Sequence, residues 1–166
     1  YTMRNILRDG GAQDIAALQQ LNYTTGSGGY TNSTTPSIWP SKGVITSPYG
    51  SRVDPVTGAA SAFHEGVDIA DDYGTPIVAT AAGTVTFAGY TEGGYGNLVE
   101  IDHGNGFVTR YGHNSAVLVT PGMSVKQGQV IAVMGSTGKS TGAHVHYEVR
   151  INGSAVDPMV FLPISN

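Results

Sequence analysis

Gly142-Ala143-His144-Val145-His146-Tyr147-Glu148-Val149-Arg150 alternates residue by residue. A period of two is the signature of a β-strand with two different faces. His144, His146, Glu148 and Arg150 fall on one face, and Val145, Tyr147 and Val149 on the other. Two imidazoles at i and i+2 on a stiff strand converge on the same space. Neutral imidazole is the commonest nitrogen ligand of transition metals, so the pair invites a search for further ligands.

The sequence supplies them in His64-Glu65-Gly66-Val67-Asp68. On a helix, a histidine and a carboxylate four apart would resemble a zinc-binding His-Glu-x-x-His turn. Gly66 and the β-branched Val67 and Ile69 instead predict a strand from His64 to Ala70. Positions i and i+4 share a face of a strand, so His64 and Asp68 point the same way and Glu65 points oppositely. With His146 they make a set of three ligands with one position left for water, as in catalytic zinc centres.

The surrounding signals are also β. Val44 to Thr46, Pro76 to Thr80, Gly83 to Tyr90 and Val130 to Met134 read as short strands between glycine and proline corners. Leu98 to His103 and Phe107 to Tyr111 flank Gly104-Asn105-Gly106, a hairpin signal. Residues 135–142, Gly-Ser-Thr-Gly-Lys-Ser-Thr-Gly, read as a flexible loop running into the His-Val-His strand. The fold class expected is mainly β, a compact antiparallel sheet or sandwich, with a short N-terminal helix. That helix is placed at residues 11–21, where Ile15, Leu18 and Leu21 are spaced by good helix formers. Residues 22–37 form a polar Gly/Ser/Thr tract that reads as a linker. The domain plan is therefore residues 1–38 as helix and linker, and 39–166 as the folded domain.

These motifs together resemble the lysostaphin-type zinc endopeptidases of bacterial cell walls. The likeness spans about residues 43–161 and rests on His-x-x-x-Asp, on Tyr111-Gly112-His113-Asn114-Ser115 and on His144-Val145-His146. Ser47-Pro48-Tyr49-Gly50-Ser51-Arg52 and Gly135-Ser136-Thr137-Gly138 add to it. The resemblance implies zinc (Zn2+) bound by His64, Asp68 and His146, with His113 and His144 framing the water at the zinc as the catalytic pair. Asn114 departs from the leucine common in the family at that place, a peripheral change. The implied activity is hydrolysis of peptide bonds in peptidoglycan stems or cross-bridges, with peptidoglycan peptide as partner and an extracellular or cell-envelope location. The alternative is a non-catalytic wall-binding or hydrolase-activating module on the same scaffold, against which the presence of all five residues argues.

Other features bound the reading. The net charge of −4 and a pI of about 5.6 argue against nucleic acid as a partner. Charged residues make up 12% of the chain and glycine occurs 24 times, which suits a loop-rich β domain. The absence of cysteine excludes disulfides and thiolate-bound zinc. No apolar run approaches the roughly 18 residues of a membrane span. The chain starts at Tyr1, as a processed form or a fragment would. Arg52 is a candidate substrate contact or a salt-bridge partner of Asp54 or Asp157, and Tyr90, Tyr95 and Asn97 are candidates for a groove wall. Tyr95 and Asn97 join Arg52 as the substrate-binding expectation. His103, beside the hairpin turn, reads as structural or exposed. The polar tract could also fold back over the groove and set Asn32 in the open metal position. Residues 121–129 resemble part of a lipoyl-type carrier barrel, but neither Lys126 nor Lys139 sits at the required hairpin tip. The Gly-Ser-Thr-Gly loop lacks phosphate-loop spacing and enters a strand, not a helix.

Overall fold

The computed structural model describes residues 30–50 and 63–164; the expected helix at 11–21 and Arg52 lie outside them. Among the described residues the chain forms ten strands: β1 Val44–Ser47, β2 Val67–Ala70, β3 Pro76–Val78, β4 Gly83–Thr91, β5 Gly96–Gly104, β6 Phe107–Val117, β7 Ser124–Val125, β8 Val130–Met134, β9 His144–Ile151 and β10 Ser154–Val156. A single 3-10 turn, Pro158–Val160, follows them. No helix among the described residues is long and apolar enough to cross a membrane. Every strand pair is antiparallel, so the mainly β, antiparallel expectation holds.

The strands follow the order β1-β2-β9-β6-β5-β4-β7, with β10 on β9 and a branch in which β8 joins β3 to β6. β6 makes the branch possible. Its first half, Phe107 to Gly112, pairs with β9, and its second half, Asn114 to Val117, pairs with β8. The change of partner falls at His113, whose φ of 66° is rare for a residue with a Cβ. The sheet thereby folds back on itself, and the five apolar residues of β8 are all buried. The core joins Ile69, Ile77, Val85, Val99, Ile101, Ile131 and Met134 to the apolar face of β9, where Val145, Tyr147 and Val149 are fully buried.

Two hairpins turn on Asn-Gly pairs. Asn105 and Gly106 have φ of 54° and 84°, and Asn152 and Gly153 have φ of 51° and 87°. Positive φ at both central residues matches the right-handed twist of the flanking strands. The first hairpin follows the sequence expectation. The second creates β10, a strand not foreseen although its Asn-Gly signal is equally plain. The strand expected from His64 also starts later, at Val67. Gly66 immediately precedes it and lets the chain pass close to β9, because a side chain there would strike the carbonyl of Tyr147.

Beneath the sheet runs a chain of buried polar groups. Tyr147 donates its hydroxyl to Thr80 Oγ1 (2.7 Å), and Thr80 donates its backbone N–H to the Tyr111 hydroxyl (3.0 Å). Thr109 Oγ1 lies 2.7 Å from both the Tyr111 hydroxyl and His103 Nε2. His103 Nδ1 then donates to the carbonyl of Ala82. His103 is thus structural and buried, and burial holds its pKa below the ordinary histidine value. The polar tract reaches this region too. Gln127 donates through Nε2 to Thr80 and Ser37 and accepts from Thr31, so residues 31–37 lie against the domain. Asn32, within this stretch, is exposed and does not line the cleft described below.

Replacing Tyr111 by phenylalanine would strand the buried Thr80 N–H without its acceptor. An unmet buried donor costs about 1–3 kcal/mol. Urea unfolding of the Tyr111→Phe protein should show a loss of that order, and unchanged stability would contradict this account of the core.

Candidate metal centre and cleft

Strand register assembles the site. β2 and β9 pair with Asp68 directly opposite His146 and Ala70 opposite His144. On its other side β9 pairs with β6, where Gly112 faces His146. The two histidines of β9 therefore stand in the interior of the sheet, with Asp68 beside them. His64 arrives from outside the regular ladder through a bridge with Gly50, made by reciprocal backbone bonds of 2.8 and 2.9 Å. Its Nδ1 lies 2.8 Å from the carbonyl of Pro48. A carbonyl can only accept, so Nδ1 carries the hydrogen and Nε2 is left toward Asp68.

His64, Asp68 and His146 each bring one ligand atom within 4.8 Å of the others. Asp68 Oδ1 lies 3.3 Å from His64 Nε2 and 2.9 Å from His146 Nδ1. Ligands about 2.0–2.1 Å from a tetrahedral ion stand roughly 3.3 Å apart. The donor set and its spacing therefore fit a zinc-like ion with small adjustments of side-chain torsions.

The remaining histidines of the sequence reading meet at the same place. The rings of His113 and His144 are 4.7 Å apart, centre to centre, and His113 is 6.1 Å from His146. His113 Nδ1 donates to the carbonyl of Thr137 (2.7 Å), and its own backbone N–H donates to the carbonyl of Tyr95 (2.6 Å). His144 Nδ1 lies 2.9 Å from the Gly142 carbonyl, and its Nε2 is 3.7 Å from Asp68 Oδ1. Each ring thus spends Nδ1 on a backbone carbonyl and keeps Nε2 for chemistry. The positive φ of His113 is the kind of local strain that surrounding structure must hold in place. Here the loop from Gly135 to Gly142 holds it. Residues Gly96 and Gly138 are so close that a Cβ on either would collide with the other's backbone. Thr137 Oγ1 donates to Asn114, and Lys139 donates its N–H to Gly94. The loop expected to be flexible is tied to β6 and to the β4–β5 turn.

Charge follows from these contacts. Burial lowers the pKa of His113, and the neighbouring His144 and His146 lower it further, which leaves it neutral near pH 7. Burial would also lower that of His146, but its hydrogen bonds to Asp68 and Glu148 outweigh burial and raise it to about 9. Asp68 is driven well below the usual carboxylate range by His146 and His64, against the effect of burial. Glu148 was not singled out from the sequence, although it lies on the same strand face as the two histidines. It is buried, with 1% of its surface exposed, and its Oε2 accepts from His146 Nε2 (2.8 Å) and from the Tyr95 hydroxyl (2.6 Å). Its Oε1 accepts from Arg150 Nε (2.8 Å).

A cleft of about 880 Å³ opens over these groups, with Phe63, Gly94, Tyr95, Gly138 and Lys139 among its walls. Tyr95 therefore reaches the cleft as expected, while its hydroxyl serves Glu148. Asn97 does not line the cleft; its side-chain amide donates to the carbonyl of Asn114 and ties β5 to β6. Tyr90 is also absent from the lining and is 61% exposed on β4. Asp157, the suggested partner of Arg52, caps the 3-10 turn by accepting from the N–H of Met159. Asn114 is fully buried, with Nδ2 shared between two carbonyls and Oδ1 without a partner. The site it occupies is interior, not peripheral.

The fold and the three converging side chains define an antiparallel β domain with a candidate metal site in its cleft. Residues 62–158 match the profile of Peptidase family M23, and the chain belongs to that family. DD-carboxypeptidase/endopeptidase Mpg of Neisseria meningitidis serogroup B is 49% identical over 120 residues, 72% of this chain and 27% of Mpg. Murein hydrolase activator NlpD of Escherichia coli is 40% identical over 125 residues, 75% of this chain and 31% of NlpD. The catalytic domain of the antimicrobial peptidase lysostaphin from Staphylococcus simulans superposes with a TM-score of 0.64 at 34% identity, covering 71% of this chain and 90% of that domain. The chain thus spans between a quarter and a third of the length of these two curated relatives.

Metal uptake should depend on pH in a defined direction. With a pKa of about 9, His146 is protonated at pH 7 without metal, and a metal at Nδ1 must expel that proton. Zinc affinity should rise by about tenfold per pH unit between pH 7 and 9. Chelator competition across that range would reveal it; a pH-independent affinity would contradict displacement of a proton held on His146 at neutral pH.

Proposed function

We propose that the chain is a zinc-dependent endopeptidase that hydrolyses peptide bonds in the stem peptides or cross-bridges of peptidoglycan, in the cell envelope. The observation that carries this reading is the meeting of His64, Asp68 and His146 within 4.8 Å, with two more histidines beside them. Two imidazole nitrogens and one carboxylate oxygen form a donor set suited to zinc and leave a position open. When bound, zinc would acidify a water molecule and polarise a carbonyl. In this reading residues 39–166 form the catalytic domain and 1–38 its N-terminal extension.

The chain's own residues take the remaining roles. His113 is neutral and has Nε2 available, so it accepts the proton of the attacking water as general base. His144 Nε2 lies 3.7 Å from Asp68 Oδ1 and faces the same space as His113 Nε2. In its protonated form His144 would donate a hydrogen bond from Nε2 to the oxygen of the tetrahedral intermediate, and His113 would return the water's proton to the departing amine. The Gly94 and Gly138 backbones leave room for a substrate of small side chains to approach closely, as glycine or D-alanine peptides would. The similarity to a peptidase domain and to a DD-carboxypeptidase/endopeptidase supports the same reaction class. A glycan-cleaving role would call for a carboxylate pair about the sugar bond, whereas the groups converging here are zinc ligands and histidines.

A second reading is favoured by the similarity to NlpD: a module that activates a separate hydrolase without cutting. One digestion experiment separates the two. With zinc, the protein alone should release new amino termini from purified peptidoglycan. The His113→Ala variant should keep one zinc and act about 10²–10⁴-fold more slowly, the usual worth of a positioned acid–base group. New reducing sugar ends without new amines would contradict the peptidase reading. No cleavage alone but faster cleavage by an added hydrolase would establish the activator reading instead.

A further inference from the structure

A metal-binding histidine must offer the correct ring nitrogen. His146 faces Asp68 with Nδ1, the less common choice for a ligand, and turns Nε2 to the buried Glu148. The two oxygens of Glu148 are used differently. Oε1 takes Arg150 Nε at 2.8 Å, with Arg110 Nη1 at 3.8 Å. Oε2 takes the His146 ring and the Tyr95 hydroxyl. A carboxylate kept only for the two arginines would not need its second oxygen aimed at the imidazole. Tyr95 in turn touches both halves of the site. Its hydroxyl meets Glu148, and its backbone carbonyl accepts the N–H of His113. The hydroxyl is itself steadied by Arg110, which donates to it through Nη1 (3.2 Å) and to Glu100 through Nε (2.7 Å).

We propose that Glu148 and Tyr95 are positioning residues: Glu148 fixes the His146 tautomer that presents Nδ1 to the metal, and Tyr95 keeps the acid–base histidine in register with it. The inference rests on the metal site proposed above. The physical basis is that the hydrogen bond donated by Nε2–H to Glu148 leaves the lone pair on Nδ1, and the negative charge of Glu148 makes that lone pair a stronger donor. A neutral amide at 148 accepts more weakly, and it can turn its own NH2 to Nε2 and favour the opposite tautomer. Glu148 reaches the metal only through His146, and the Tyr95 hydroxyl reaches it only through Glu148. Neither residue has to touch substrate for the effect.

The test measures zinc affinity of the full chain by chelator competition, with circular dichroism and thermal unfolding to check the fold. Glu148→Gln should bind zinc about 10–100-fold more weakly. Tyr95→Phe, which leaves the carboxylate in place, should give a smaller loss in the same direction. Nitrogen-15 NMR of the zinc-loaded parent provides a readout that needs no variant. His146 should show Nδ1 as the ligated nitrogen and Nε2 carrying a hydrogen-bonded proton. His146→Ala is the control for the underlying site. If that variant binds zinc as tightly as the parent, the metal assignment itself is wrong. If it loses zinc while Glu148→Gln and Tyr95→Phe bind like the parent, or if Nε2 is the ligated nitrogen, the positioning role is overturned.

Discussion

The antiparallel register of β2 against β9 is the constraint on which the site depends. It sets Asp68 opposite His146, and their side chains meet at 2.9 Å. Strand periodicity makes the arrangement all-or-nothing. A slip of one residue would turn His144, His146 and Glu148 into the core and expose Val145, Tyr147 and Val149. Burial of those apolar side chains therefore specifies the placement of the candidate metal ligands without taking part in their contacts. The site is a consequence of the core, and the stability of the core is what protects its geometry.

Placing so much charge in a sheet interior requires compensation. An unpaired buried carboxylate would cost several kcal/mol. Asp68 is met by His64 and His146, and Glu148 by His146, Tyr95 and Arg150. The direction of each pKa gives the pH window of this cluster in the metal-free protein. Asp68 and Glu148 are depressed from 3.8 and 4.5, so their contribution is complete above about pH 4.5 and is lost in acid. His146 is raised from 6.5 to about 9, so its contribution is complete below pH 6.5 and fades as pH rises through 9. The cluster alone is thus strongest between these limits. A metal ion bound at His146 Nδ1 would take over the role of that proton and extend the window upward.

Much of this was legible in the sequence because two signals coincide. Alternation over residues 144–150 revealed both the strand and the face that lines the cleft, and the His64 and Asp68 spacing supplied its neighbours. The hairpin at Asn105-Gly106 was read from turn chemistry, and the equivalent Asn152-Gly153 turn was overlooked despite carrying the same information. The parts that stayed hidden depend on long-range contacts. The docking of residues 31–37 is made by Gln127, about 90 residues away, and nothing local to a polar Gly/Ser/Thr tract reports it. The tethering of the Gly135–Gly142 loop depends on Gly96 and Gly94, which composition alone reads as freedom. The role of Glu148 lay in plain view on the histidine face, but its burial is a property of the folded sheet.

The central claim is that strand register brings three side chains to one metal ion. Anomalous X-ray scattering at the zinc edge, on crystals of the zinc-loaded chain, tests it most directly. The account predicts one peak about 2.0–2.2 Å from His64 Nε2, Asp68 Oδ1 and His146 Nδ1. A peak held by other residues, or no peak between these three under saturating zinc, would contradict it.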